Sequence, residues 1–219
     1  MSTLTKSTAV VDRPTTRDRE VLAAGLAAGP VLGLTWLVQG LVRDGYDFTR
    51  HPMSLLALGE GGWVQIASFG ATGGLMLACA AGLRRVLADG PGARWAPRLA
   101  AVIGGGLVAA GVFTADPGAG FPAGAPEGAP VLSWHGLLHE ISHLVVVFAW
   151  IVLCFVLRTR FARQGDRRWA RACVAVVPIA IALVALPHLE SFPIRIVLAS
   201  VVQLGFVGLA ARRIHPCAP

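Results

Sequence analysis

Apolar residues gather in six long runs along this chain, at 21–42, 63–83, 99–115, 135–157, 172–187 and 196–211, with most charged residues in the stretches between them. A helix crosses a hydrocarbon core of about 30 Å with about 20 residues, so the first two runs are long enough to span unaided. The last two are short, and Arg171 and Arg195 extend them by snorkelling toward the headgroups. A re-entrant hairpin is the alternative for that pair. The pattern predicts an all-α, polytopic membrane protein, a bundle of six transmembrane helices. Residues 1–20 form a tail, 21–213 one membrane domain and 214–219 a second tail.

Composition supports a bilayer as the partner of these runs. The 219 residues are 55% hydrophobic and 14% charged, more apolar than one soluble core of this length can bury. The net charge of +7 does not form a continuous patch, so nucleic acid is not an expected partner and the basic residues read as topology determinants. Lys6, Arg13, Arg17 and Arg19 precede the first run. Arg84, Arg85, Arg94 and Arg98 fill the second connection, six arginines from Arg158 to Arg171 the fourth, and Arg212 and Arg213 follow the last run. Only Arg43, Arg50 and Arg195 fall on the opposite side, a split of 16 to 3. Both termini are therefore expected in the cytoplasm, with the protein multi-pass in a cell (inner) membrane. The first run is too long for a signal-peptide core and is expected to stay as a helix. Cys79, Cys154, Cys173 and Cys217 then fall in the inner half or the cytoplasm, where thiols stay reduced.

Glycine marks where helices can approach closely, at Gly70, Gly73 and Gly74 of the second run and Gly104, Gly105 and Gly106 of the third. The unusual polar residues lie at the outer face, in RDGYDFTRHPMSLLALGEGGW (43–63), TADPGAGFPAGAPEGAPVLSWHG (114–136) and PHLESFP (187–193). Five of the six histidines are there. In SWHGLLHEISH, His135, His139 and His143 recur every four residues and share a stripe, Ser133 is placed to cap the helix, and Glu140 sits about a quarter turn away. His143 is about 12 Å deeper than His135, a depth at which an ionisable group faces the bundle interior or a wet cavity.

Two chemistries fit this cluster. In one, a divalent metal such as zinc is held by His135, His139 and Asp116, which supplies the third ligand that the pair needs. In the other, Asp47, Arg50, His51, Ser54, Asp116 and Glu190 bind a lipid-like or amphiphilic ligand. Ser54, His135 and His139 are the catalytic candidates if that ligand is hydrolysed. A non-catalytic regulator or scaffold, whose polar loops only lock one another through carbonyls and acids, is the third reading. A haem site from His143 and His188 has little support, since the histidines cluster at one face.

The strings RDGYDFTRHPMSLLALGEGGWVQ, FTADPGAGFP and SWHGLLHE, in this order, resemble the bacterial membrane family DUF998, a domain of unknown function. The resemblance runs from about Leu22 to Arg213 and rests on His51, Pro52, Ser54, Leu55, Gly59, Gly62, Trp63, Asp116, Pro117, His135 and His139. It implies a six-helix protein distantly similar to Frag/DRAM/Sfk-type membrane proteins, and brings no established activity. His143 and His188 do not map onto its pattern.

The charge split generates a test. Single cysteines in the 116–134 connection should react with an impermeant thiol reagent added outside cells, and those in 158–171 only after permeabilisation. The reverse pattern would invert the topology and move the polar cluster to the cytoplasm.

Overall fold

The computed structural model describes residues 15–87, 89–185 and 191–214. Six helices long and apolar enough to cross a membrane account for most of them: α1 Thr16–Val42, α2 Gly62–Val86, α3 Trp95–Val112, α4 Trp134–Arg163, α5 Arg167–Ala185 and α6 Phe192–Arg213. A short 3-10 turn, Met53–Ala57, lies between α1 and α2. The first two polar strings cap one end of the bundle, and the helix ends carrying Arg84, Arg85, Arg160, Arg163, Arg212 and Arg213 form the other; most of the third string lies outside the described residues.

Helix limits follow capping chemistry rather than apolar length. The apolar run begins at Val21, yet α1 begins at Thr16, because Thr15 accepts from the Asp18 amide while the Asp18 carboxylate accepts from the Thr15 amide. This reciprocal box satisfies two amides that a helix start otherwise leaves unpaired. α4 likewise continues past Leu157 to Arg163. Pairs of short-run helices needed no hairpin: α5 and α6 are 19 and 22 residues long, and the end of the fifth run, 186–187, lies outside the described residues.

The helices pack as a closed ring in chain order, each against its sequence neighbours, with α6 returning to α1. Small residues set the closest approaches. A Cβ on Gly208 of α6 would sit 2.5 Å from the Gly25 carbonyl carbon of α1, and one on Gly73 of α2 would sit 2.6 Å from the Gly104 carbonyl oxygen of α3. The triple glycine of α3 is divided in its duties. Gly104 faces Gly73 and Leu77, Gly106 faces Val146 and Ser142 of α4, and Gly105 meets nothing, as do Gly70 and Gly74. The sequence expectation of close contact thus holds at Gly73, Gly104 and Gly106. It does not hold at Gly70, Gly74 and Gly105, because three consecutive helical positions cannot all face neighbours at 100° per residue.

Large apolar side chains such as Leu34, Leu41, Phe148, Ile179 and Leu209 are more than half exposed around the ring, a belt that only lipid can cover. Trp63, Trp95 and Trp134 are exposed at helix starts, where amphipathic rings sit at headgroup level. Cys79, Cys154 and Cys173 are free thiols buried among the helices; Cys217 is outside the described residues.

α5 departs from the regularity of the ring. Ala170, Cys173, Val176, Val177 and Ala180 are buried along it, but none of 181–185 is. Pro178 lies at that transition, where it removes one helical hydrogen bond. The half of α5 nearer the capped end therefore buries none of its own side chains, and its Leu183 carbonyl accepts from Arg195 of α6 at 3.4 Å.

Leucine at position 104 or 106 should cost about 1–3 kcal/mol by overpacking, and leucine at 105 close to nothing. Thermal unfolding in detergent of the three variants checks this; equal losses would mean that all three face neighbours.

Candidate functional site

The first polar string folds into an aromatic cap. Trp36 Nε1 donates to the Tyr46 hydroxyl at 3.1 Å, and that hydroxyl donates to the His51 carbonyl at 2.8 Å. Burial pushes the Tyr46 phenol up to about 12, so it stays a donor. Phe48 stands edge-on to both rings in space that a side chain on Gly40 would fill. The His51 ring is fixed at both nitrogens. Nδ1 accepts from the Asp47 amide at 2.9 Å, so the proton sits on Nε2, which donates to the Ala119 carbonyl at 3.0 Å. Ala119 adopts φ 56° to present that carbonyl, a left-handed conformation that few residues other than glycine tolerate. Arg43 completes the cap, donating to the carbonyls of Leu56 and Leu58 below the Phe121 ring.

The second string is tied to the start of α4 by one carboxylate. Asp116 accepts from the Ser133 amide and hydroxyl, each at 2.7 Å, while the Ser133 oxygen accepts from the Gly136 amide at 3.2 Å. A Cβ on Gly136 would collide with the Asp116 carboxylate, so the Gly of SWHG is required by the Asp of TADPG. The charge also lies at the positive end of a 30-residue helix, where an anion is stabilised. The Ser133 hydroxyl, then the Ser133 amide, hold the Asp116 carboxyl below the usual carboxylate range.

Below this cap a cavity of about 930 Å³ opens between α4, α5 and α6, toward the upper end of small-molecule sites. Its walls are mainly apolar, with Leu144, Val147, Ile181, Val184, Phe192 and Leu204 among them. Its mouth carries Arg50, Ser54, Asp116 and Glu127. One face of α4 contributes His139, Glu140 and His143 to the wall, and α6 contributes Ser200 and Gln203. Trp150 Nε1 donates to the Gln203 carbonyl at 3.1 Å, tying α4 to α6 at the cavity's lower part.

The sequence-predicted residues divide accordingly. Arg50, Ser54, Asp116 and His139 line the cavity. Asp47 and His51 do not: Asp47 turns back onto Thr49, accepting from its amide and hydroxyl at 2.7 Å, and His51 is locked in the cap. Glu190 and His188 lie outside the described residues. Arg50 pairs with Glu127 at 2.5 Å rather than with Asp47 or Asp116, a partner that the Gly/Pro-rich loop delivers and that no helical spacing signals.

The expected metal ligands His135, His139 and Asp116 each have partners within the protein. His135 Nδ1 bonds the Thr114 carbonyl at 3.2 Å and is 3.9 Å from Asp116, and His139 Nδ1 is shared between the carbonyls of Ala110 and Phe113 at 3.0 and 2.9 Å. Carbonyls take a proton from these nitrogens, which leaves the lone pair of each ring on Nε2, while Asp116 is held by Ser133. Among the described residues no three His, Cys, Asp or Glu side chains are placed to hold one ion. Among the described residues no imidazole hydrogen-bonds Ser54. Sequence reasoning missed Glu127, the Trp36–Tyr46 pair and the Arg43 anchor. The buried Gln39–Gln65 bond at 2.7 Å, three residues from the ends of two helices, was also missed, although two glutamines inside apolar runs are a readable signal.

Six apolar spans around a capped cavity define an integral, multi-pass membrane protein. The chain belongs to the family described as protein of unknown function (DUF998), which matches residues 26–213. No curated protein and no solved structure matches it.

Because the Asp116 carboxyl is depressed in the fold, its stabilisation is complete above its unfolded value of about 3.9 and is lost as pH falls through the lower folded value. Asp116→Asn should therefore cost about 1.5–3 kcal/mol at neutral pH, and the gap to wild type should close in acid. Thermal unfolding in detergent at pH 7 and below pH 3 measures both; a gap of equal size at the two pH values would contradict the assignment.

Proposed function

We propose that this protein is a membrane-embedded binding protein for an amphiphile, whose hydrocarbon chain occupies the cavity between α4, α5 and α6 while its head rests at the capped mouth. The cavity carries this reading. Mainly apolar walls below a rim of Arg50, Ser54, Asp116 and Glu127 match a molecule with one apolar and one polar part. The half of α5 over 181–185 supports lateral entry from the bilayer, since it buries no side chain of its own and its bond to α6, from Arg195 to the Leu183 carbonyl, is long at 3.4 Å. The Arg50–Glu127 pair is half exposed on the arginine and more on the glutamate, and exposed ion pairs contribute about 0–1 kcal/mol. It can open for a ligand at little cost.

Binding rather than hydrolysis is the reading favoured, because among the described residues no base is hydrogen-bonded to Ser54. The arginine distribution supports a cell-membrane orientation with the capped end outside and the termini in the cytoplasm, so that the ligand comes from the outer leaflet or beyond it.

Native mass spectrometry of the detergent-purified protein should find one chain-bearing amphiphile per polypeptide. Val147→Trp, which fills the cavity from α4, should weaken retention at least tenfold without unfolding the protein. Equal retention by the variant, or no amphiphile bound by wild type at any concentration, would overturn the proposal.

A further inference from the structure

The α4 wall of the cavity has charge and lone pairs that the protein leaves unanswered. Of the four charged side chains at the cavity, Arg50 and Glu127 satisfy each other and Asp116 is bound to Ser133. Glu140 is the remainder. Among the described residues no cation lies within ion-pair distance of it and no hydrogen bond reaches it, although it is six residues into a helix that crosses the membrane. Glu140 and His143 are both exposed rather than packed among the helices, and so are open to whatever fills the cavity. The neighbours of Glu140 on the wall are also acceptors. His139 is only 5% exposed and uses Nδ1 to donate to two carbonyls, which leaves Nε2 as an unprotonated lone pair on a ring that lines the cavity. His143, one turn deeper on the same wall, has no hydrogen-bond partner among the described residues and brings a further ring nitrogen.

Three acceptors on one wall call for a donor-rich cation. Positions 139 and 143, and 140 and 143, are helix-face neighbours with about 5–6 Å between Cβ atoms. Hydrogen bonds of about 2.8–3.0 Å from a common nitrogen bridge such separations. A primary ammonium carries three N–H donors and one positive charge, and matches Glu140, His139 Nε2 and His143 in number and in sign. A phosphate or carboxylate head would instead face uncompensated Glu140.

Resting on the amphiphile reading above, we infer that the head recognised at this wall is a primary ammonium carried on a hydrocarbon chain, with Glu140 as its counter-ion and His139 and His143 as its hydrogen-bond acceptors. The head then lies below the Arg50–Glu127 pair, and the chain extends toward Val147, Ile181 and Leu204.

Competition for the cavity by soluble probes tests the inference. Dodecylamine, dodecanol and dodecyl phosphate are titrated at pH 7 into the purified protein in a non-ionic detergent, with Val147→Trp as the blocked control. Dodecylamine should bind at least tenfold more tightly than dodecanol, and dodecyl phosphate more weakly than either. Glu140→Gln should abolish the preference for the amine over dodecanol while leaving thermal stability unchanged, and Glu140→Asp should restore part of it. Equal binding of amine and alcohol, tighter binding of the phosphate, or an unaltered preference in Glu140→Gln would overturn ammonium recognition and leave the cavity reading standing. Binding of no probe to wild type would remove both. In phosphatidylcholine nanodiscs, displacement of dodecylamine by added phosphatidylethanolamine assigns the ammonium to a bilayer lipid. Retention of the probe there assigns it to a free long-chain amine.

Discussion

The carboxylate of Asp116 at the start of α4 is the interaction on which the polar end of this protein depends. It closes two of the amide and hydroxyl donors at a helix N-terminus, places a negative charge where the peptide dipoles favour one, and occupies the volume that any side chain on Gly136 would need. Because the carboxylate belongs to the loop after α3, it sets the depth and rotation of α4 against α3. The carbonyls of Ala110 and Phe113, at the end of α3, then meet His139 from the side. The same rotation turns Glu140 and His143 onto the cavity wall. A shift of one residue in that register would carry all three toward lipid.

The ring of helices explains why a cavity exists at all. α1, α2 and α3 are drawn together by glycines with no room to spare, and α6 closes onto α1 through Gly25, Gly29 and Gly208. No glycine contact draws the far half of α5 inward; it is held to α6 by the buried Arg195, which donates to the Leu183 carbonyl. The walls on the α1–α3 side are thus fixed by backbone contact, whereas on the α4–α6 side Trp150 reaches across to the Gln203 carbonyl and Phe192 and branched side chains line the space. The cap built on Tyr46, His51 and Phe121 spans the gap from above. Its hydrogen bonds end on backbone carbonyls, so it is rigid without consuming the charged groups at the mouth.

Much of this was legible in the residues. Run lengths and arginine counts give the spans, and the four-residue recurrence of histidine places His139 and His143 on one side of α4. The Asp of TADPG and the Ser of SWHG announce a helix cap. What spacing could not show is which nitrogen of each imidazole is used. That depends on carbonyls at the end of another helix, which hold the ring protons of His135 and His139 on Nδ1. Nor could spacing pair Arg50 with Glu127, because the path of residues 117–130 is set by the left-handed conformations of Ala119, Gly120 and Gly124. Gly105 and Gly106 look alike in sequence and differ only by the 100° that turns one outward.

The central claim is that a hydrocarbon chain enters the space between α4, α5 and α6. A long-chain amine bearing a photoactivated diazirine near its chain terminus, irradiated with the protein in nanodiscs and mapped by peptide mass spectrometry, tests it most directly. The account predicts adducts on Val147, Ile181 or Leu204 that disappear with excess unlabelled amine, while adducts on the lipid-facing Leu34 and Leu41 persist. Adducts confined to the lipid-facing residues, or cavity adducts that excess amine leaves unchanged, would contradict it.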